Sequence, residues 1–411
     1  MKLKLLVFLL PLLQNLQAQT HKSVYFIGNS YTGTNNLPEL IKNTAQAQGD
    51  TFYYESHTPG GSTFFQHAAN STVLAKLNQG TWDHVVLQEQ SQTPTFPNGQ
   101  VNATMFPQAQ TLVQTARNAN PCTVPIFYMT WGYKYGDSSN CPYLPYVCTY
   151  EDMDDVIAYR YMLLAQANQS LVSPVGQVWR AIRNQYPTYE LYVSDNSHPT
   201  LLGSMAAAYT FYTILYKKDP ATLLYNSSLT TQQAQNIKNI VREVVYNNMD
   251  DWFVGTHDNL TKFNYTQNNQ TVNFTNQSTN ATSFLWDFND GSTSTQENPI
   301  HTYTQNGTYT VTLTTNACNQ TSTFTKTVTV ANLSVQNPSP KFRIYPNPTT
   351  TKITIDYADI QRIELYNLEG KQLQCALKNN ELNLSHLASG VYILKISNSH
   401  GQTFNQKIIK N

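Results

Sequence analysis

Residues 25–32 read Tyr-Phe-Ile-Gly-Asn-Ser-Tyr-Thr, an apolar run that passes through glycine into a short polar turn. The apolar run Ser23–Ile27 predicts a buried strand, and a helical pattern begins at about Leu37. Open α/β sheets bind their ligands beyond the carboxyl ends of the strands. The stretch therefore predicts the first strand of a parallel sheet, with Ser30 at the edge where a ligand would bind.

The same alternation of strand and helix continues to about residue 255. Strands are predicted at Ser23–Ile27, Thr51–Tyr54, His84–Leu87, Pro125–Met129 and Leu191–Val193. Helices are predicted at Leu37–Gln48, Phe64–Asn78, Phe106–Ala119, Asp152–Ser170, Val175–Asn184 and Gly203–Tyr216. Such alternation is typical of a parallel sheet that helices cover on both faces.

The composition is typical of an exported protein. The 411 residues carry 25 basic and 25 acidic side chains, and only 12% of the residues are charged. This length predicts two to four domains, and zero net charge argues against a nucleic-acid binder. Residues 1–19 join a basic start to an apolar run too short to span a bilayer. They predict a cleaved signal peptide and no stable membrane insertion.

Five cysteines suit an oxidising compartment. Cys141 and Cys148 lie in one loop and predict a local disulfide. Cys122, Cys318 and Cys375 are isolated in the sequence, and we expect buried free thiols there. The cysteines and histidines do not show the tight spacing of a metal site, so we expect neither a metal nor a cofactor.

A second polar motif, Asp195-Asn196-Ser197-His198, follows the last predicted strand and precedes a predicted helix. An aspartate and a histidine three residues apart at such a boundary can face each other, so the carboxylate can fix the imidazole tautomer. The histidine can then act as a base toward a serine. Ser30 is the candidate nucleophile; the alternative is that it only caps the turn after its strand.

Together, these motifs resemble the SGNH (GDSL-like) hydrolases, serine esterases and lipases with a flavodoxin-like three-layer α/β/α fold. Gly28-Asn29-Ser30 is similar to the first motif of that family, with asparagine where many members carry aspartate. Asp195 and His198 are similar to the last motif. The resemblance covers residues 20–255 and implies a Ser30–His198–Asp195 triad that forms and hydrolyses an acyl-enzyme.

The resemblance also implies an oxyanion hole. The Ser30 amide would be one donor, and Gly61 within Pro59-Gly60-Gly61-Ser62-Thr63 fits the family's second motif. The third motif usually supplies an asparagine, but residues 88–92 here read Gln-Glu-Gln-Ser-Gln. By register Gln92 is the first candidate and Gln90 the second, because a glutamine amide can donate as an asparagine amide does.

Two further side chains at this edge are candidates for substrate binding. Glu89 could contact the substrate or tune His198, or it could be a structural hydrogen-bond acceptor. Trp131 follows another predicted strand, where its ring could stack on a sugar or belong to the core.

Residues 281–331 alternate threonine with apolar residues, which predicts half-buried antiparallel strands. The domain that contains them is expected over residues 262–332. Trp286-Asp287-Phe288-Asn289-Asp290-Gly291 and Asn306-Gly307-Thr308-Tyr309 resemble the PKD (polycystic kidney disease) domain. The resemblance implies a small β-sandwich that acts as a spacer or makes weak contacts with polysaccharide or protein.

Residues 340–411 also predict a small all-β sandwich. Tyr345-Pro346-Asn347-Pro348 and Leu387-Ala388-Ser389-Gly390-Val391-Tyr392 are similar to the C-terminal sorting domain of the type IX secretion system of Bacteroidetes. The resemblance implies that the secretion machinery is a partner, and that the protein is secreted or attached to the cell surface.

The sequence thus predicts a secreted serine esterase that removes acyl groups, with acetyl as the expected group, from an acylated carbohydrate. The carbohydrate part depends on export, the PKD-like module and the aromatic residues. Two alternatives stay open. The missing asparagine of the third motif leaves room for a non-catalytic glycan-binding or adhesion protein on a degenerate hydrolase fold. A lipase is the other alternative. No long apolar lid segment favours it, because the loop 131–150 is rich in Tyr and Pro rather than in aliphatic residues.

Overall fold

The computed structural model describes residues 20–318, 320–331 and 342–411. The predicted signal peptide, residues 1–19, lies outside this range. The chain divides between Val330 and Ala331 into two compact units, which are described separately. The first unit holds an α/β domain and a β module, and the second holds the C-terminal β module.

The α/β domain is built on a parallel sheet. Its strands are β1 His21–Ile27, β2 Thr51–His57, β3 His84–Leu87, β4 Val124–Tyr128 and β5 Leu171–Ser173. The strand order is β2-β1-β3-β4-β5, and each neighbouring pair is parallel. This order confirms the predicted flavodoxin-like class. The predicted strand Leu191–Val193 is wrong, because Tyr192 forms only an isolated bridge with Pro199.

Helices connect these strands. They are α1 Ser30–Gly33, α2 Leu37–Ala47, α3 Phe64–Ala68, α4 Ser71–Leu77, α5 Asn98–Thr104, α6 Phe106–Ala119, α7 Tyr150–Asn168, α8 Val175–Gln185, α9 Leu201–Tyr216 and α10 Thr231–Val244. Single 3-10 turns or short 3-10 helices lie at 34–36, 93–95, 145–147, 220–222 and 246–252. The predicted helix Phe64–Asn78 is two helices, because the Asn70 side chain accepts from the Thr72 and Val73 amides and starts a new helix.

Alternate residues of β1 reach opposite faces of the sheet and so build two separate cores. Val24 and Phe26 pack in the core under α2, α8, α9 and α10. Tyr25 and Ile27 pack in the core under α3, α4, α6 and α7. The sheet is thus buried on both faces, as a three-layer α/β/α domain requires.

The β module of the first unit is a sandwich of antiparallel sheets. Its strands are β6 Phe263–Asn268, β7 Thr271–Asn276, β8 Ser283–Asp287, β9 Thr293–Ser294, β10 Ile300–Thr302, β11 Gly307–Ala317 and β12 Gln320–Val330. One sheet has the order β10-β7-β6 and the other β12-β11-β8-β9. Phe274 and Trp286 pack between them.

A disulfide joins this β module to the α/β domain. Cys122, just before β4, is bonded to Cys318, just after β11. Our expectation of free thiols at these two positions is therefore wrong. Their 196-residue separation hides the pairing in the sequence, because only the packing of the two domains brings them together.

The second unit is another β-sandwich. Its strands are β13 Arg343–Tyr345, β14 Lys352–Asp356, β15 Arg362–Asn367, β16 Gln372–Leu373, β17 Leu377–Lys378, β18 Glu381–Asn383, β19 Gly390–Ser397 and β20 Thr403–Lys410. The sheets are ordered β13-β14-β18-β17 and β16-β15-β19-β20 around Ile355, Leu365 and Leu394. Cys375 is a free, half-buried thiol of this unit.

Candidate active site

The strand order brings three loops together around Ser30. β1 lies between β2 and β3, and all three strands run in the same direction. The loops that follow β2 and β3 therefore flank the loop that follows β1. These loops contain Gly61 and residues 88–92, so the topology brings the candidate oxyanion donors toward Ser30.

Ser30 is the first residue of α1, directly after Asn29, whose side chain accepts a hydrogen bond from the Tyr31 amide at 3.1 Å. Gly28 has no room for a side chain. A Cβ there would lie 2.6 Å from Gln88 Oε1 and 2.7 Å from Thr32 Oγ1. The Gly-Asn-Ser order thus follows from close packing at the end of β1, where the chain must turn sharply to present the serine.

Ser30, His198 and Asp195 form a continuous hydrogen-bonded chain. Ser30 Oγ lies 2.8 Å from His198 Nε2, and His198 Nδ1 lies 2.7 Å from Asp195 Oδ2. A carboxylate can only accept, so Nδ1 carries the proton and the unprotonated Nε2 faces the serine hydroxyl. This is the arrangement that a serine nucleophile and its general base require.

The Asp195 carboxylate is held by the main chain of its own turn. Its Oδ1 accepts from the amides of Ser197 and His198, each at 2.9 Å. Partial burial acts to raise the pKa of Asp195, but these amides and the His198 ring lower it below its usual value. The carboxylate therefore stays ionised, and Asn196 takes the positive φ of 60° that the turn needs.

Trp131 supports the turn 195–198 from inside the domain and does not face a substrate. Its ring is fully buried and stacks between Trp179, at 3.7 Å, and Tyr31, at 4.8 Å between centroids. Its Nε1 donates to the Ser197 carbonyl at 3.0 Å. Our suggestion that Trp131 stacks on a sugar is wrong, because no face of its ring is exposed.

Asn29 links the three loops around Ser30. Its amide nitrogen Nδ2 donates to the Ser62 carbonyl at 3.0 Å, a contact that aspartate could not make. Its Oδ1 accepts from Gln88 Nε2, and its main-chain amide donates to Gln88 Oε1, both at 2.9 Å. The asparagine that departs from the family pattern thus has a structural reason in this chain.

Gly61 lies in a turn closed by the Ser62 amide and the Pro59 carbonyl, 3.2 Å apart. Its φ of +70° is a conformation that glycine adopts without strain. Within the described residues, the Gly61 and Ser30 amides have no hydrogen-bond acceptor. Both are therefore available to a ligand.

The two candidate glutamines differ in what their side chains already bind. Gln92 Nε2 donates to Asp137 Oδ2 at 2.7 Å, so this amide holds the loop 131–150. Gln90 Oε1 accepts from the amides of Gln92 and Thr93 at 2.8 and 3.1 Å. Among the described residues, Gln90 Nε2 makes only long contacts of 3.4 Å. Gln90 thus offers a fixed and weakly engaged donor, whereas Gln92 does not.

Glu89 is buried behind the site. It is 1% exposed, and its oxygens accept from the Gln90 amide at 2.7 Å and from the Phe64 amide at 3.1 Å. Burial raises the pKa of Glu89 to about 8, although these amides favour the ionised form. Of the roles weighed for Glu89, the structural acceptor fits these contacts: it joins the loop after β3 to the start of α3.

The predicted disulfide between Cys141 and Cys148 is present in the loop 131–150. The same loop carries Asp137, which accepts from Gln92 and from Asn140 Nδ2, both at 2.7 Å. The disulfide and these hydrogen bonds fix the loop 131–150 at one side of the site.

Three contributors to the site were missed by sequence reasoning. Gln88, Tyr31 and Trp179 are buried, and their roles depend on contacts with residues far away in the chain. Only the position of Gln88 directly after β3 could have indicated its role.

Two segments of the chain match family models. Residues 258–331 match the PKD domain, and residues 343–411 match the secretion system C-terminal sorting domain. Both resemblances of the sequence analysis are thereby confirmed. The sorting domain marks the chain for type IX secretion, to the cell surface or the outside. In the part of the chain that the structure describes, no helix is both long and apolar enough to cross a membrane.

Individual proteins are similar to parts of the chain. The β-agarase D of Zobellia galactanivorans is 34% identical over 73 residues, which are 18% of this chain and 15% of that protein. A DUF4886 family protein from Bacteroides uniformis aligns with 55% of this chain and 94% of its own, at 16% identity and a TM-score of 0.48. The psychrotrophic esterase EstA from Pseudoalteromonas sp. aligns with 48% of this chain and 97% of its own, at 13% identity and a TM-score of 0.35.

Proposed function

We propose that the α/β domain is a serine esterase that hydrolyses acyl groups, acetyl foremost, on a carbohydrate. The observation that carries this proposal is the chain from Ser30 Oγ through His198 to Asp195, with contacts of 2.8 and 2.7 Å. A serine that only capped a turn would need neither the histidine nor the aspartate.

In the proposed reaction, Ser30 Oγ attacks the ester carbonyl while His198 Nε2 takes the hydroxyl proton. The tetrahedral intermediate collapses as His198 returns that proton to the leaving alcohol, which leaves an acyl-Ser30 ester. Water, deprotonated by His198, then attacks this ester and releases the carboxylic acid. Asp195 keeps the imidazole oriented and stabilises its charged form throughout.

The oxyanion would be stabilised by the amides of Ser30 and Gly61, with Gln90 Nε2 as the third donor. The two amides have no acceptor in the described residues, and the Gln90 amide is oriented by the main chain that its own Oε1 binds. Donors that are fixed before the reaction need no reorganisation when the charge develops.

The surroundings of the triad favour a polar, extended substrate. The side chains of His198 and Asp195 are 34% and 48% exposed, so the triad lies open to the surface. An exposed aromatic ring lies at each side: Phe65, at the start of α3 just after the Gly61 turn, and Tyr135, in the loop next to Lys134, whose amide donates to the Asn196 carbonyl. Exposed aromatic rings can pack on the apolar face of a sugar.

The test is an assay of the secreted protein on short-chain aryl esters, long-chain esters and acetylated xylan. The proposal expects hydrolysis of aryl acetates and release of acetate from xylan, both lost in Ser30→Ala. The exposed Ser138→Ala is the matched control and should leave the rates unchanged. Equal activity of wild type and Ser30→Ala, or activity in neither, would refute the esterase. Preference for long chains would indicate a lipase.

A further inference from the structure

A cavity lies at the opposite edge of the sheet from Ser30. It has a volume of about 350 Å³ and is lined by both domains of the first unit. Lys22 and His84 come from the amino-terminal ends of β1 and β3, while Asn280 and Gln320 come from the β module. The Cys122–Cys318 disulfide is part of its wall.

Lys22 carries a positive charge that no described residue of this cavity pairs with. Among the described residues, its ammonium group makes no hydrogen bond and no ion pair, although the side chain is half-buried. Burial lowers the pKa of Lys22, partly offset by the more distant Asp83 carboxylate. A half-buried ammonium group without a paired anion is unfavourable, because the interior replaces its hydration incompletely.

The other charged groups of the cavity are already engaged. Lys217 is paired with Asp258, and Asp83 accepts from the Ser23 amide and hydroxyl. Arg117 donates to the carbonyls of Asn168 and Gln169. Three cations thus face two carboxylates, which leaves an excess of one positive charge in the lining.

Two histidines add unsatisfied polar atoms. His84 is 8% exposed, and its Nδ1 is buried without a hydrogen-bond partner among the described residues. His257 Nε2 is likewise buried and has no hydrogen-bond partner among them. Burial, with Lys22 and Lys217 nearby, lowers the pKa of His84 to about 3, so the ring is neutral at ordinary pH and carries one N–H donor. Buried polar atoms of this kind normally have a partner.

We propose that this cavity binds a small oxyanion, a carboxylate or a sulfate, against the ammonium group of Lys22 and the imidazoles of His84 and His257. An oxyanion balances the excess positive charge and supplies acceptors, whereas a cation would meet the ammonium group and the N–H donors. Because both domains line the cavity, the bound anion stabilises their docking.

Thermal unfolding of the full protein tests this inference. Sodium acetate and sodium sulfate are titrated at an ionic strength held constant with sodium chloride. Binding to the native state alone raises the melting temperature, by about 2–4 °C for a domain of roughly 150–250 residues once the anion is about five times its dissociation constant. We expect a saturable rise with at least one of the two anions, and the anion that saturates identifies carboxylate or sulfate as the ligand chemistry.

Matched variants separate binding from general salt effects, since sulfate stabilises many proteins without binding a site. Lys22→Met should abolish the saturable rise, and Lys22→Arg should keep it. Lys42→Met, which removes a lysine paired with Glu39 outside the cavity, should also keep it. Calorimetric titration of the wild type with the same anions is independent of how each variant folds. No saturable response to either anion, or an equal one in Lys22→Met, would overturn the inference.

Discussion

Asn29 and Gln88 hydrogen-bond to each other twice, each pair at 2.9 Å: the Asn29 amide donates to Gln88 Oε1, and Gln88 Nε2 donates to Asn29 Oδ1. The contact joins the residue before Ser30 to the end of β3. Since Gln88 is fully buried, water cannot replace these bonds if they are lost. The position of Ser30 therefore depends on a residue that itself has no role in acyl transfer.

Replacement of Gln88 by alanine should lower both activity and stability. The change leaves the Asn29 amide and Oδ1 without these partners, so the free energy of unfolding should fall by about 1–3 kcal/mol. We expect kcat to fall about 10- to 100-fold, because small displacements of a nucleophile are costly. Urea denaturation and ester hydrolysis measure the two effects. Gln100→Ala, at an exposed position, is the control; a Gln88 variant with the kcat of wild type would refute the link to Ser30.

Gln90→Glu tests the third oxyanion donor. Glutamate retains the oxygen that binds the Gln92 and Thr93 amides but replaces the donor with a negative charge. We expect kcat to fall by about 100-fold or more while the fold is retained. Gln92→Ala should have a much smaller effect, since its amide already holds Asp137. If Gln92→Ala shows the larger loss, the register-based assignment of the sequence analysis was correct and Gln90 has no such role.

The contact of Trp131 with the Ser197 carbonyl predicts a split between kcat and KM. Trp131→Phe keeps an aromatic ring in the stack but removes the Nε1 donor, so kcat should fall severalfold with KM unchanged. Tyr135→Ala, at an exposed ring, should instead raise KM for acetylated xylan and leave KM for aryl acetates unchanged. Steady-state kinetics on both substrates checks this, and a rise in xylan KM for Trp131→Phe alone would contradict it.

Glu89 should make stability depend on pH. Its pKa is raised to about 8 in the folded protein from an ordinary value of 4.5, so between these values the folded state binds more protons than the unfolded chain. The free energy of unfolding therefore falls as pH rises from about 5 to about 8, and the loss is complete above that range. In Glu89→Gln, which cannot ionise, this decline should be smaller, by an amount on the order of a few kcal/mol. Urea denaturation at pH 5, 6.5 and 8 measures it; parallel declines in both proteins would show that Glu89 does not titrate there.

The sequence predicted the features that depend on local pattern. Apolar runs identified β1 to β4, and the Asp195–His198 spacing predicted the contact between these two side chains that the structure shows. β5 was missed because its three residues, Leu171–Ser173, are too few to show a period of their own.

The predictions that were wrong concern contacts between residues that are distant in the chain. The burial of Trp131 is set by Tyr31 and Trp179, and the Cys122–Cys318 disulfide is set by the docking of two domains. No local pattern encodes either. The choice between Gln90 and Gln92 likewise depends on Asp137, which lies 45 residues from Gln92.

Reaction of the protein with a fluorophosphonate, followed by peptide mass spectrometry, tests whether Ser30 is an activated nucleophile. Such a reagent modifies a serine only when a base and an oxyanion hole activate it. We expect stoichiometric labelling at Ser30, no labelling in Ser30→Ala, and much slower labelling in His198→Asn. Absence of label in the folded wild type, or undiminished labelling at another residue in Ser30→Ala, would contradict the assignment of Ser30 as the nucleophile.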